Sequence, residues 1–540
     1  MLEALRTAPG NAEAAPVKRI LSAIAERSAI RFALIWLLLF IAGASWAIAT
    51  PLGGSPDEPA HIIKAAAVAR GDVLGEPTDQ PAVRAVTIPK GLASAARWPC
   101  YAFDGTKEAN CLASVNDDWY DVSAKTTAGL YNPTFYAIVG WPSLLVDDTS
   151  AAVMGMRLMN ALVTSLFLAL AIVAMLKFGS SRILVAAIAA AITPMVLFLN
   201  SAVNPNGLEI ATGAALLASL LHLVRGDLVA KWPWLLITAA SGVLLAQCRG
   251  LSPLWLGLFG LAAIVAARPG RLAELLRSRS VWLTMAALLG GVLAAGAWIL
   301  RTGTLGSMGV FPGADDVSPR EAFIEMLLAR SLDPGYIGVF GWLDTPAAPI
   351  AYATWTFLAL AVLIAAFGIV RGRALAALAF ALVSFLLVPP IVQAASVETS
   401  GYIWQGRYAL VGYVGVMIVA GVLASESNVV GDVVPRRTLR RIDLTVLSLV
   451  SFAQAFTLLH ATKRYAVGTD VDWLTFFKEP VWSPPLGVYV WPILVGASVA
   501  LLFMTMRVRN DDAAAGAEDA TGTADGVSDR AGREVVTGTV

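Results

Sequence analysis

Apolar runs of about 18 to 25 residues recur along the chain, and a run of that length crosses a bilayer as an α-helix. Candidate spans fall near 32–50, 151–176, 183–199, 207–224, 232–248, 252–267, 281–300, 351–370, 374–394, 408–424, 442–460 and 486–506, about twelve in all. Of 540 residues, 57% are hydrophobic and 14% charged, against about 25% charged in soluble domains. The expectation is an all-α polytopic membrane protein of about twelve transmembrane helices. With a net charge of +1 and no basic stripe interleaved with aromatics, nothing points to a nucleic-acid partner.

Basic residues set the orientation. With the N-terminus inside, alternate loops carry Lys177/Arg182, Arg225/Lys231, Arg268/Arg271/Arg277/Arg279, Arg371/Arg373, Arg436/Arg437/Arg440/Arg441 and Arg507/Arg509. Both termini are then cytoplasmic, in a plasma (inner) membrane. The segment 131–146 is apolar but short, with prolines at both ends. Counting it as a span would invert every later loop, so it is read as an interfacial or re-entrant helix held by Tyr131, Tyr136 and Trp141 at headgroup level. The chain divides into a cytoplasmic segment 1–31, a transmembrane domain 32–506 and a disordered cytoplasmic tail 507–540. Ala47-Ile48-Ala49 loosely resembles a cleavage site, but the run before it is long for a signal peptide and is read as an uncleaved first span. Large outer loops occupy 51–150, 301–350 and 461–485, the first with short juxtamembrane helices; 200–206 and 395–407 are small outer loops. Cys100 and Cys111 share the first loop and would pair as a disulfide if that loop is extracytoplasmic; two unpaired thiols are the alternative.

The chemistry-bearing groups gather at the expected outer face. Ser55-Pro56-Asp57-Glu58-Pro59-Ala60-His61 follows the first span. Ser55-x-x-Glu58 with Pro56 reads as a capping box, which alone would account for both carboxylates as a helix start. Its address at the membrane face, with His61 one turn on, also suits proton abstraction from a hydroxyl. Asp57 and Glu58 are equally the pair that a divalent metal, Mg or Mn, would use. Glu209 enters a span after the turn Asn204-Pro205-Asn206-Gly207, where an ionisable group faces a cavity or a partner. Arg249 ends the fifth span and Arg407-Tyr408 begins the tenth, both outside. A guanidinium suits a phosphate there, or a pairing with Glu209 or Glu398. In the second large loop Asp344 could meet sugar hydroxyls and Trp342 a sugar face, or both could simply build a turn. No GxSxG, HExxH, P-loop or convincing dinucleotide fingerprint is present, and His222 and His460 read as helix-packing residues.

Pro56-Asp57-Glu58-x-x-His61, Gly341-Trp342-Leu343-Asp344-Thr345-Pro346 and Gln405-Gly406-Arg407-Tyr408, in that order, resemble the landmarks of the bacterial membrane proteins called domain of unknown function 2142. The resemblance covers roughly residues 30 to 505. That family is similar to the C-type (GT-C) glycosyltransferases, which use polyprenyl-phosphate sugars. The resemblance implies a GT-C-like fold with an essential acidic residue in the first outer loop, here Asp57 or Glu58. Asn132-Pro133-Thr134-Phe135-Tyr136 is similar to that superfamily's proline–aromatic helix, but Asn132 and Thr134 depart from the usual residues and no catalytic role is carried over.

The function implied is transfer of a sugar from a polyprenyl-phosphate donor to a glycan, lipid or protein acceptor on the outer face, with inversion. Asp57 is the expected base, with Glu58 or His61 orienting it or holding a metal, and Arg407 and Arg249 at the phosphate. The alternatives are a transporter or flippase of lipid-linked sugars and a non-catalytic envelope-assembly protein.

Overall fold

The computed structural model describes residues 28–112, 115–227, 230–304, 313–314, 316–426 and 436–506. Each apolar run is helical. In chain order the helices used below are α1 Ser28–Ala49, α2 Glu58–Ala69, α3 Pro133–Gly140, α4 Thr149–Leu176, α5 Arg182–Ala191, α6 Pro194–Ser201, α7 Pro205–Arg225, α8 Trp232–Cys248, α9 Ser252–Ala266, α10 Arg279–Thr302, α11 Pro319–Ala329, α12 Pro349–Ile369, α13 Gly372–Ser400, α14 Leu410–Ser425, α15 Arg436–Val467, α16 Trp473–Lys478 and α17 Val490–Met506. Among the described residues seven helices are long and apolar enough to cross a membrane, or eight if α5 and α6 form one bent span. The remaining expected spans, α8, α9, α14 and α17, are apolar helices of 10–17 residues. The protein is a helical membrane protein, and length alone credits it with fewer crossings than twelve.

The expected span 183–199 is two helices bent by 50°. Pro194 has no N–H to continue α5, while Thr193 accepts from the Val196 N–H and starts α6 afresh. Helix α7 is the centre of the bundle, packed on α4, α8, α9 and α14, with 94% of its apolar window buried. Helix α10 packs chiefly on α8 and buries only 17% of its window, leaving Leu283, Leu289, Leu293 and Leu300 facing outward. An apolar exterior of that kind is stable against lipid and not against water.

The segment after α1 does more than form juxtamembrane helices. Strands β1 Glu76–Pro77, β2 Arg84–Pro89 and β3 Asp121–Thr126 make an antiparallel sheet in that order, with Arg84 opposite Thr126 and Pro89 opposite Asp121. Cys100 and Cys111, between β2 and β3 in the chain, form a disulfide, and Cys100 packs against Tyr101, Ala109 and Tyr465. The sheet and α3 enclose α2, whose apolar residues Ile62, Ile63, Ala65, Ala66 and Ala67 are buried. Lys64, also buried, donates to the Val73 carbonyl at 2.5 Å and the Gly129 carbonyl at 2.6 Å, and desolvation lowers its pKa to about 8. In the second large loop, β4 Val339–Phe340 pairs with β5 Thr345–Pro346 around Gly341-Trp342-Leu343-Asp344. The expected interfacial segment is the eight-residue α3 followed by a 3-10 turn, Trp141–Leu144. Trp141 is exposed there, whereas Tyr136 turns inward and is fully buried. The 1–27 part of the cytoplasmic segment and the tail 507–540 lie outside the described residues.

Candidate functional site

The turn leading into α2 is held from several sides. The Asn204 amide donates to the Pro56 carbonyl at 3.2 Å, and the Val203 N–H donates to Glu58 Oε1 at 3.1 Å. Both donors come from the short connection between α6 and α7. Between these ties Asp57 takes φ 63°, in the left-handed region that few non-glycine residues occupy. The expected capping box does not form. Asp57 makes no side-chain cap, Ser55 Oγ is buried without a partner, and the Glu58 carboxylate points away from the helix start.

Glu58 is fully buried and meets Arg157 of α4 in a two-pronged ion pair, Nε to Oε1 at 2.8 Å and Nη2 to Oε2 at 2.6 Å. Arg157 also donates to the carbonyls of Ala47 at 2.9 Å, Thr50 at 2.8 Å and Pro51 at 2.9 Å. A guanidinium has five N–H groups, and these bonds use all of them. Glu58 therefore ties α1 to α4 and to the start of α2. Expected to orient Asp57 or to hold a metal beside it, Glu58 here has its carboxylate engaged by Arg157. The two carboxylates go to different arginines, and among the described residues no group of three or more His, Cys, Asp or Glu is arranged to hold a metal.

Asp57 is open by contrast. Its side chain is 50% exposed, and Oδ2 accepts from Arg407 Nη2 at 2.6 Å. Arg407 itself is 2% exposed. It sits in the 3-10 turn Gly406–Tyr408, which packs on a second such turn, Pro334–Tyr336. A Cβ on Gly406 would lie 2.7 Å from Asp333 Oδ1, so that close approach requires glycine. Arg407 Nη2 also reaches the Tyr408 hydroxyl at 3.3 Å. Its Nε and Nη1 are buried with no hydrogen-bond partner. These two nitrogens carry three N–H donors, and unsatisfied donors on a buried cation are costly unless an anion completes them.

A second arginine lies against the same tyrosine. The Arg249 guanidinium stands 4.4 Å from the Tyr408 ring centre and that of Arg407 5.2 Å. Arg249 leaves α8 just after Cys248; it bonds Asn206 Oδ1, meets the Tyr131 hydroxyl and lies 3.7 Å from Glu209. Glu209 also accepts from Ser252 at 2.6 Å. Of the two roles open to Glu209, the structure places it against Arg249.

His61 is buried one turn into α2, sharing a 2.8 Å hydrogen bond with the Tyr136 hydroxyl and standing edge-on to Tyr131. Burial lowers its pKa to about 4; Asp57 opposes that shift, while Arg407 and Arg249 add to it. The imidazole is neutral near pH 7 and supports the aromatic wall of the site. The same burial pushes the Tyr131 and Tyr136 phenols up, so both stay protonated. These two tyrosines, expected at headgroup level, pack against His61.

Trp342 and Asp344 border this region without joining it. Trp342 Nε1 donates to the Gly53 carbonyl at 2.9 Å, so the second loop is fastened to the turn before Asp57. Asp344 accepts from Arg464 Nη2 at 2.8 Å, the Trp342 N–H at 3.2 Å and Thr345 Oγ1 at 2.9 Å. Its oxygens are taken up by its own turn and a buried pair, as in the turn reading of the two the sequence offered. Arg157 and Arg464 escaped sequence reasoning. The available signal for Arg157 was a lone charge inside an apolar run.

The arrangement joins an exposed carboxylate to an incompletely satisfied guanidinium, with a second guanidinium against the same aromatic ring. It can take a proton at Asp57 and an anion at Arg407 side by side.

A family model described as a predicted membrane protein (DUF2142) matches residues 40–411. No curated protein matches the chain. Among solved structures, the crystal structure of ArnT from Cupriavidus metallidurans bound to undecaprenyl phosphate is similar at TM-score 0.38 and 14% identity, over 88% of this chain and 76% of that one.

Proposed function

The chain belongs to the DUF2142 family of membrane proteins, and on that premise we propose that it is a glycosyltransferase moving a sugar from a polyprenyl-phosphate donor to a cell-envelope acceptor on the extracytoplasmic face. The observation that carries this reading is Arg407: a buried guanidinium with Nε and Nη1 unpartnered, bonded through Nη2 to the half-exposed carboxylate of Asp57. A phosphate monoester or diester supplies the oxygens those donors lack. Undecaprenyl phosphate, the ligand in the ArnT structure, is a lipid of the class proposed here; the reading rests on the residues.

The donor phosphate would bind Arg407 and compete with Asp57 for Nη2, freeing the carboxylate. Asp57 would then take the proton of an acceptor hydroxyl as that oxygen attacks the anomeric carbon. The bond from that carbon to the phosphate oxygen breaks, the electron pair leaves with the lipid phosphate, and Arg407 stabilises the charge that develops there. Attack opposite the leaving group inverts the anomeric centre. Arg249 keeps Tyr408 and the mouth of α7 in place through Asn206 and Glu209. Glu58, committed to Arg157, takes no part in these steps.

The test is transfer by purified protein in lipid nanodiscs, with radiolabelled polyprenyl-phosphate sugars and an envelope glycan extract. Label should reach the glycan with wild type and not with Asp57→Asn or Arg407→Ala. Full transfer by a folded Asp57→Asn protein would remove Asp57 as the base. Donor binding without transfer, accompanied by movement of the lipid-linked sugar across the bilayer, would instead establish a transporter.

A further inference from the structure

A cavity of about 800 Å³ lies away from Asp57. It opens at the other ends of α4 and α7, and 21 residues of helix such as α7 put about 30 Å between the two. Its walls are apolar side chains of three helices, Phe32 of α1, Leu170 and Val173 of α4, and Trp234 and Ile237 of α8, with His222 of α7 among them. Its rim is cationic: Lys177 follows α4, Arg225 ends α7 and Arg268 follows α9. The acids at the rim are Asp227 and Glu426. Glu426 is shared, accepting from Arg225 Nε at 2.8 Å and lying 3.2 Å from Arg268. Lys177 is exposed and makes no ion pair with any described residue. Three cations therefore face two carboxylates, one of them divided between two arginines.

Two features give the depth of this rim. All three cations stand at helix ends, where spans leave the hydrocarbon. Aromatic rings gather at the same level, with His222 4.2 Å from Trp234 and 5.7 Å from Phe178, and Trp232 67% exposed beside them. Tryptophan and basic side chains at span ends mark the headgroup region. Leu37 on α1 and Leu236 on α8 face outward on the helices that flank the cavity, so its apolar walls continue into the lipid-facing surface.

We propose that this cavity is a binding site for one anionic phospholipid of the surrounding leaflet, its acyl chain against Phe32, Val173 and Ile237 and its phosphate at Lys177 and Arg268. The apolar walls exclude a ligand without a hydrocarbon part, and the excess of positive charge selects an anionic headgroup over a zwitterionic one. The site is independent of the sugar-transfer reading, since none of its residues touches Asp57 or Arg407.

The experiment is native mass spectrometry of the full-length protein, loaded with equal amounts of phosphatidylglycerol and phosphatidylcholine and released from detergent. Wild type should retain one phosphatidylglycerol in preference. Lys177→Ala and Arg268→Ala should each reduce that preference about fivefold, and the double variant should abolish it. Ile237→Trp fills the apolar part and should lower retention of both lipids, which keeps the test alive if the double variant does not fold. Equal retention of the two lipids by wild type would overturn the proposal. So would retention untouched by Ile237→Trp, or displacement of the lipid by millimolar inorganic phosphate, which would indicate a site for free phosphate.

Discussion

Asp57 and Glu58 are neighbours in sequence, each bound to an arginine, and they do opposite work. The Glu58–Arg157 pair is 0% and 1% exposed and every donor on the arginine is used. The Asp57–Arg407 pair has a carboxylate at 50% exposure and an arginine with two unpartnered nitrogens, Nε and Nη1. A saturated buried pair has nothing left to offer a ligand and holds structure. A pair whose carboxylate is half-exposed and whose buried arginine is unsaturated contributes less to stability and keeps its capacity for binding. The criterion for a site here is thus the residual valence of the partner arginine, not the presence of an acid.

The largest break in this comparison should come from the saturated pair. Arg157→Ala leaves Glu58 buried and uncompensated and also strips donors from three carbonyls, so the expected loss is about 3 to 5 kcal/mol of stability. It should exceed the loss from Glu58→Gln, and thermal unfolding of the purified proteins compares them. Next comes acid. His61 has its pKa lowered from 6.5 to about 4, so between those values the unfolded chain binds a proton that the folded chain refuses. Its contribution is complete above pH 6.5 and is lost as pH falls towards 4, by roughly 3 kcal/mol in all. His61→Asn, which can still bond Tyr136, should flatten the difference in melting temperature between pH 7 and pH 4.5 relative to wild type. The smallest effect on stability is expected at the open pair: Asp57→Asn should shift it by less than about 1 kcal/mol. The same variant should lower sugar transfer by at least about 10²-fold. An Asp57→Asn protein that unfolds as readily as Arg157→Ala would erase the distinction between the two pairs.

Much of this was legible in the chain. The apolar runs became helices because length and hydropathy in lipid leave little choice. Asp57, Arg249, Arg407 and Tyr408, more than 340 positions apart at the extremes, were each singled out by an ionisable or aromatic side chain at a span end, and the fold brings them together. What the sequence concealed is direction. Glu58 satisfies a capping-box pattern, yet a buried guanidinium two helices away outcompetes a local N–H for its oxygens. Asp344 reads equally as a sugar contact or a turn residue until Arg464, more than a hundred positions on, claims it. The break in 183–199 was written in Thr193-Pro194, but a proline inside an apolar run is also compatible with a kinked single span.

The left-handed backbone at Asp57 limits what can be written at that position. With φ at 63°, the chain accepts glycine, asparagine or aspartate there and resists branched or bulky residues, whatever the chemistry of the site. Folding therefore allows an alphabet of three letters. In a saturation library at position 57, selection for expression alone should return all three. Selection for activity should return aspartate only, and the letters lost between the two selections would measure how much of the residue belongs to the reaction and how much to the turn.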